Sequence, residues 1–204
     1  MVRLEPSDRA ARHALARLVS TIDPEQGIRL LTDQTKGDVP AAVMLEVARL
    51  YQHAARYTEA EAIYARLIET APDDADVWLE AGRLSDAMGA ETVAVKRLER
   101  AVALNPNRET LASLALAHMH AGRLVTAGRW WWRITRTHDT DIEAWAGLTV
   151  CALAMGRKRL VKRVRRVFDL HTSRQERRTV MANLWHHAAL GRTILSVQDE
   201  QALP

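Results

Sequence analysis

Tyr57-Thr58-Glu59-Ala60 … Tyr64 … Leu67 … Ala71-Pro72 is answered further along the chain by Ala94 … Leu98 … Ala101 … Asn105-Pro106. Pro106 follows Pro72 by 34 positions, Ala94 follows Ala60 by 34, and Leu98 follows Tyr64 by 34. Trp78, Ala81-Gly82 and Gly89 lie between the two copies. Beyond them the beat continues, because Gly89, Gly122 and Gly156 are spaced by 33 and 34. Self-similarity at a fixed period of this length is the mark of a repeat architecture, in which each unit buries its apolar faces against its neighbours. Glycine at the beat positions permits the positive φ that ends a helix.

Composition independently points to helices. Ala, Leu and Arg are abundant and lose little side-chain freedom in a helix, whereas runs of β-branched residues bounded by turns are nearly absent. The apolar residues of each half-unit recur at helical spacing, as in Met44, Val47-Ala48 and Tyr51, and then Ala60, Tyr64 and Leu67. Ala54-Ala55-Arg56 makes the turn between them.

With this period and these small residues where two helices touch, the chain resembles the tetratricopeptide repeat family. The resemblance implies an all-α fold, a right-handed α-solenoid of stacked helix-turn-helix repeats with capping helices at both ends. Four repeats are expected within 41–174, at 41–74, 75–108, 109–141 and 142–174, the last degenerate and basic. In the third, Asp139 stands where Pro72 and Pro106 close the first two. Residues 1–40 are expected to be an N-terminal capping pair or divergent repeat, and 175–204 a C-terminal capping helix and tail.

In that family the first helices of the repeats line a concave groove that binds a peptide or a partner's helix. Carried over in register, the groove positions here are Arg49, Gln52, Glu80, Arg83 and Asp86, then Leu116, Met119, His120, Val150 and Leu153. The groove therefore changes from charged to apolar, and an apolar surface with an adaptable methionine suits the apolar face of a helix. The alternative is that the chain's own C-terminal helix or tail fills it. Some members grip a C-terminal carboxylate with groove Lys, Arg and Asn residues; Arg49 and Arg83 are followed here by Ala112 and Leu116, so no such clamp is complete.

Two further features are candidates for contact. Residues 157–178 hold ten Lys/Arg against two Asp/Glu, although the whole chain carries only +4. Within them Leu160-Val161, Val164 and Val167-Phe168 share one helical face, while Arg159, Lys162, Arg163 and Arg166 fall on the other. This basic amphipathic pattern fits an anionic membrane or nucleic acid, and equally an ordinary solvated outer face. In Trp130-Trp131-Trp132, successive side chains diverge by about 100°, so they cannot share one core. Trp131 takes the repeat's buried position; Trp130 and Trp132 are candidate aromatic anchors for a neighbour or partner.

Chemistry finds no foothold. The eight histidines are scattered, without the i, i+4 pairing or cysteine partners of a helical metal site, and no Gly-rich phosphate loop occurs. Cys151 sits in the apolar run Leu148–Met155 and reads as an inert core thiol. No stretch approaches the roughly 18 apolar residues of a membrane span. The expectation is a cytoplasmic, cofactor-free, non-catalytic scaffold or adaptor with a protein or peptide partner. Anionic membrane or nucleic acid binding, and self-assembly through repeat faces into a homo-oligomer, are the alternatives.

Overall fold

The structure is a computed structural model, and it describes residues 25–27, 29, 41–162, 164 and 174–190. The described residues are helical and contain no strand. Among the described residues eight bounded helices follow in order: α1 Ala41–His53, α2 Tyr57–Thr70, α3 Ala75–Ala87, α4 Glu91–Leu104, α5 Arg108–His120, α6 Leu124–Thr137, α7 Ile142–Ala154 and α8 Arg174–Leu190. Residues 158–162 and 164, ahead of α8, are also helical. Consecutive helices pair as helix-turn-helix units.

One backbone device makes all four tight turns. Ala55, Gly89, Gly122 and Gly156 have φ of 57°, 73°, 67° and 65°, the left-handed region. The residue after each closes the turn by donating to a carbonyl five residues back: Arg56 to Tyr51 at 2.8 Å, Ala90 to Ser85 at 2.9 Å, Arg123 to His118 at 2.8 Å and Arg157 to Ala152 at 2.9 Å. This pattern satisfies carbonyls that the helix end would otherwise strand. Ala55 is the exception in chemistry, because a Cβ disfavours that conformation.

The return turns are fastened by side chains. Asn107 caps α5 by accepting from the Thr110 N–H at 2.9 Å, and Asp141 caps α7 by accepting from the Ala144 N–H at 2.9 Å. The indoles of Trp78 and Trp145 latch the loops before their own helices, donating to the carbonyls of Pro72 at 2.8 Å and Asp139 at 2.6 Å. Asp139 thus does the latching work of Pro72 without its ring, since only the carbonyl is needed.

The chain divides within α3 into two compact units, Met1–Leu84 and Ser85–Pro204. In the first, Leu45 and Ala48 of α1, Ala60, Tyr64 and Leu67 of α2, and Val77, Ala81 and Leu84 of α3 form one core. Tyr64 and Leu67 are wholly buried, and each such side chain contributes about 1.5–3 kcal/mol by leaving water.

In the second unit, α4 and α6 are amphipathic and bury one stripe each. That stripe is Ala94, Leu98 and Ala101 in α4, and Leu124, Ala127, Trp131 and Ile134 in α6. Helices α5 and α7 differ: every residue from Ala144 to Ala152 of α7 is buried, as is nearly all of α5 from Thr110 to Met119. The reason is a neighbour on each side. Helix α6 packs against both, and α8 also packs against α7 and α5.

Candidate interaction surfaces

On the first-helix face of the first unit, the expected groove residues form a continuous ion-pair lattice. Arg49 donates to Glu80 Oε1 from Nη2 at 3.0 Å and from Nε at 3.2 Å, across 31 residues of sequence. Its other nitrogen lies 3.5 Å from Glu46, and Arg83 reaches the same Glu80 oxygen at 3.7 Å. Burial alone would lower the Arg49 pKa, but the attraction of Glu80 outweighs it and the net shift is upward. Gln52 accepts from the Tyr64 hydroxyl at 3.3 Å. Burial pushes that hydroxyl's pKa well up, so it stays a neutral donor. The residues are therefore assembled, but already engaged with each other.

The corresponding positions in the second unit are not an open apolar groove. Met119 and Val150 are fully buried and offer no side-chain surface to a partner, which corrects the expectation for these two. Met119 faces inward because its sulfur accepts from the Trp131 indole at 3.2 Å. Val150 lies on α7, whose circumference is covered once α8 is in place. Leu116 and Leu153 remain half-buried. Asp86 and His120 pair through Oδ2 and Nδ1 at 2.8 Å, while the other Asp86 oxygen is buried without a partner among the described residues.

The tryptophan triplet splits three ways. Trp131 is wholly buried. Trp130 is half-buried, with the Arg133 guanidinium 5.7 Å from its ring centroid. Trp132 is 47% exposed and meets Trp145 edge to face at 6.3 Å between centroids. In the basic segment, Arg159 and Lys162 are exposed; Arg163 and Arg166 lie outside the described residues.

A concavity that the periodicity did not reveal opens beside Trp132. It encloses about 600 Å³ between α6, α7 and the helical residues after Arg157. Trp132, Trp145, Leu148 and Leu160 give it apolar walls, and Arg129 and Arg157 are the charged groups at its edge. Trp132, and Leu160 and Val164 of the basic segment, were the signals for it in the sequence. A second hollow of about 550 Å³ lies between the start of α7 and α8, around Ile142, Thr179 and Val180.

Cys151 is buried and burial pushes its thiol up to about 12, so it is protonated at neutral pH. Among the described residues no group of three or more His, Cys, Asp or Glu is placed to hold a metal ion. Among them, too, no helix is long and apolar enough to cross a membrane.

Stacked helical hairpins with a left-handed residue every 33 or 34 positions define a class of all-α repeat proteins. Residues 41–84 match a family model described as the tetratricopeptide repeat. Solved structures of the same fold include MamA, at 16% identity and a TM-score of 0.67, with 87% of this chain and 99% of that chain covered. YrrB, described as a TPR protein with an unusual peptide-binding site, aligns at 17% identity and a TM-score of 0.65, covering 86% and 91%. A putative kinesin light chain of Podosopora anserina with nearly identical TPR-like repeats aligns at 19% identity and 0.65, covering 89% and 98%. At these identities the likeness is one of fold. A comparison with curated proteins yields no match.

Proposed function

We propose that the chain is a non-catalytic protein-interaction scaffold that takes a partner peptide or helix on the first-helix face of α1 and α3. Tetratricopeptide folds in general serve as such scaffolds, and the peptide site of YrrB is a precedent on the same fold. The observation that carries the reading is a contrast between the two units. Met119 and Val150 are buried in the second unit, whereas the Arg49 and Arg83 side chains keep 36% and 34% of their surface exposed in the first. The lattice can exchange partners: an incoming carboxylate competes with Glu80 for Arg49 or Arg83, and Gln52 offers a neutral hydrogen-bonding edge. Such contacts direct orientation and encounter more than raw affinity, and they weaken with salt.

Arg159 and Lys162 support a second reading, an anionic partner. Both are exposed and neither forms an ion pair among the described residues. Affinity capture from the source cell's lysate, eluted in salt steps and with nuclease and lipid-depletion controls, separates the two. A specific protein retained by the unaltered chain should be lost on Arg49→Ala with Arg83→Ala and kept on Arg159→Glu with Lys162→Glu. The reverse pattern, or recovery of nucleic acid or lipid at modest salt, overturns the first-helix reading in favour of the second.

A further inference from the structure

The hollow beside Trp132 carries an inference independent of the first-helix face. Its volume of about 600 Å³ falls in the range of sites that enclose a ligand group, about 300–1,000 Å³. Its walls are built, not incidental: the edge-to-face contact holds the Trp132 and Trp145 rings at 83° to one another, and Trp145 is fixed at its other end by the hydrogen bond to Asp139. Trp132 nevertheless leaves 47% of its surface in solvent, and Val125, one further exposed apolar side chain on the same wall, leaves 51%. Val125, Arg129 and Trp132 are spaced i, i+4, i+7 on α6, one stripe about 10 Å long. A stripe of that length opening into a hollow suits a segment that lies along α6 and inserts one side chain.

Charge selects the segment. The two ionic groups of the lining are both guanidinium groups, Arg129 and Arg157, and both are exposed. Neither makes an ion pair with an acid among the described residues. Lys158, Arg159 and Lys162 after Arg157, and Arg133 and Arg136 on α6, are further exposed cations in the same two segments. Tryptophan and arginine are both enriched among interface hot spots.

We propose that this hollow is a docking site for an acidic peptide segment of a partner protein, which inserts one bulky apolar side chain between Trp132 and Leu160 and lays its carboxylates on Arg129 and Arg157. The ring-to-ring wall supplies shape for the anchor, and the guanidinium pair supplies the register. This site lies between α6, α7 and the helical residues after Arg157, and does not use Arg49 or Arg83.

The test uses the full chain and short capped peptides of Glu, Gln and Ala with one central Phe. One twin has the Phe replaced by Ala, another has each Glu replaced by Lys, and dodecanoate serves as a lipid-like control. Binding is read by anisotropy of the labelled peptide and by the NMR shift of the Trp132 indole N–H, identified by its absence in Trp132→Phe. The acidic Phe peptide should bind and move that resonance. The Ala twin, the Lys twin, Trp132→Ala, and Arg129→Glu with Arg157→Glu should each weaken binding by about tenfold or more. Arg49→Ala with Arg83→Ala should leave it unchanged, which keeps this result separate from the first-helix reading. Because the altered side chains are exposed, the melting temperature should hold and loss of binding is then local. No movement of the Trp132 resonance at millimolar peptide overturns the proposal. So does binding that survives the Trp132 and arginine variants, or dodecanoate uptake that the acidic peptide does not displace.

Discussion

The indole of Trp131 lies flat on the bare backbone of Gly147: a Cβ at that position would sit 2.5 Å from Cε2 and 2.6 Å from Cδ2. The same ring donates to the Met119 sulfur, so one side chain of α6 joins α5 to α7 at the centre of the second unit. The fit requires glycine at 147, because the obstructing atoms belong to a large, wholly buried ring that has nowhere to move.

Gly147→Ala should therefore destabilise the second unit by about 3 kcal/mol, the upper end of ordinary overpacking. Gly128 provides the control. A Cβ there would meet Cys151 Cβ at 3.6 Å and Leu148 Cδ1 at 3.9 Å, ordinary contact distances. Gly128→Ala should be neutral or stabilising by up to about 1 kcal/mol, from the higher helix propensity of alanine. Denaturant midpoints of the two variants check this, and equal effects would contradict the packing described.

Ala55 and Gly89 hold equivalent left-handed positions 34 residues apart, one with a Cβ and one without. Ala55→Gly should stabilise the chain by about 1 kcal/mol through relief of that conformation. Gly89→Ala should cost about the same, although nothing lies within 4 Å of its added Cβ. Opposite shifts in the melting temperature are the expected result, with strain rather than crowding as the cause.

Repeats are also tied to one another by charge. Arg108 donates from Nε to Asp141 Oδ2 at 2.8 Å and from Nη2 to Asp141 Oδ1 at 3.3 Å, and it also reaches Glu143. The Asp141 hydrogen bonds raise the Arg108 pKa. For Asp141, burial alone would raise the pKa, but the Arg108 and Ala144 hydrogen bonds outweigh it and the carboxyl lies below its ordinary 3.8. A depressed carboxylate stabilises the folded chain above its unfolded pKa and loses that contribution as pH falls through the folded value. Asp141→Asn keeps the helix cap and removes the charge. It should cost about 1 kcal/mol at neutral pH, and nothing further in acid, so the stability curve flattens below about pH 4. Asp141→Ala should cost about 1 kcal/mol more through the lost cap.

His118 produces a second pH dependence, higher on the scale. It is 4% exposed, with Nδ1 buried and without a hydrogen-bond partner among the described residues. Burial, helped by Arg123 and opposed by Glu99, lowers its pKa below the ordinary 6.5. The unfolded chain then takes the proton first, so stability is complete above 6.5 and is lost as pH falls. Melting temperatures of His118→Phe and the unaltered chain should diverge between about pH 6.5 and 5, with the variant's curve the flatter one. Parallel curves would remove His118 from the acid response.

Much of the fold was legible because its determinants are local and periodic. The glycine beat located the turns, and even Ala55 occupies its expected place in Ala54-Ala55-Arg56. The docking residues were harder to read for a physical reason. Register assigns Met119 and Val150 to a face, but burial depends on what else packs there, and α8 arrives from far along the chain. The signal was present in α5 and α7, which lack a polar side over Thr110–Ala115 and Ala144–Ala152. A helix apolar all round requires neighbours on every side. Arg49 was legible as a groove residue, whereas its bond to Glu80 depends on how one hairpin settles against the next.

Site-specific photo-crosslinking in the source cell tests the scaffold role most directly. A photoreactive phenylalanine analogue at Gln52 on α1 should give a discrete adduct with a partner protein, and the same group at the half-buried Leu153 on α7 should give none. Adducts at Leu153 with none at Gln52 would contradict the first-helix site in the first unit and return the partner to the second unit.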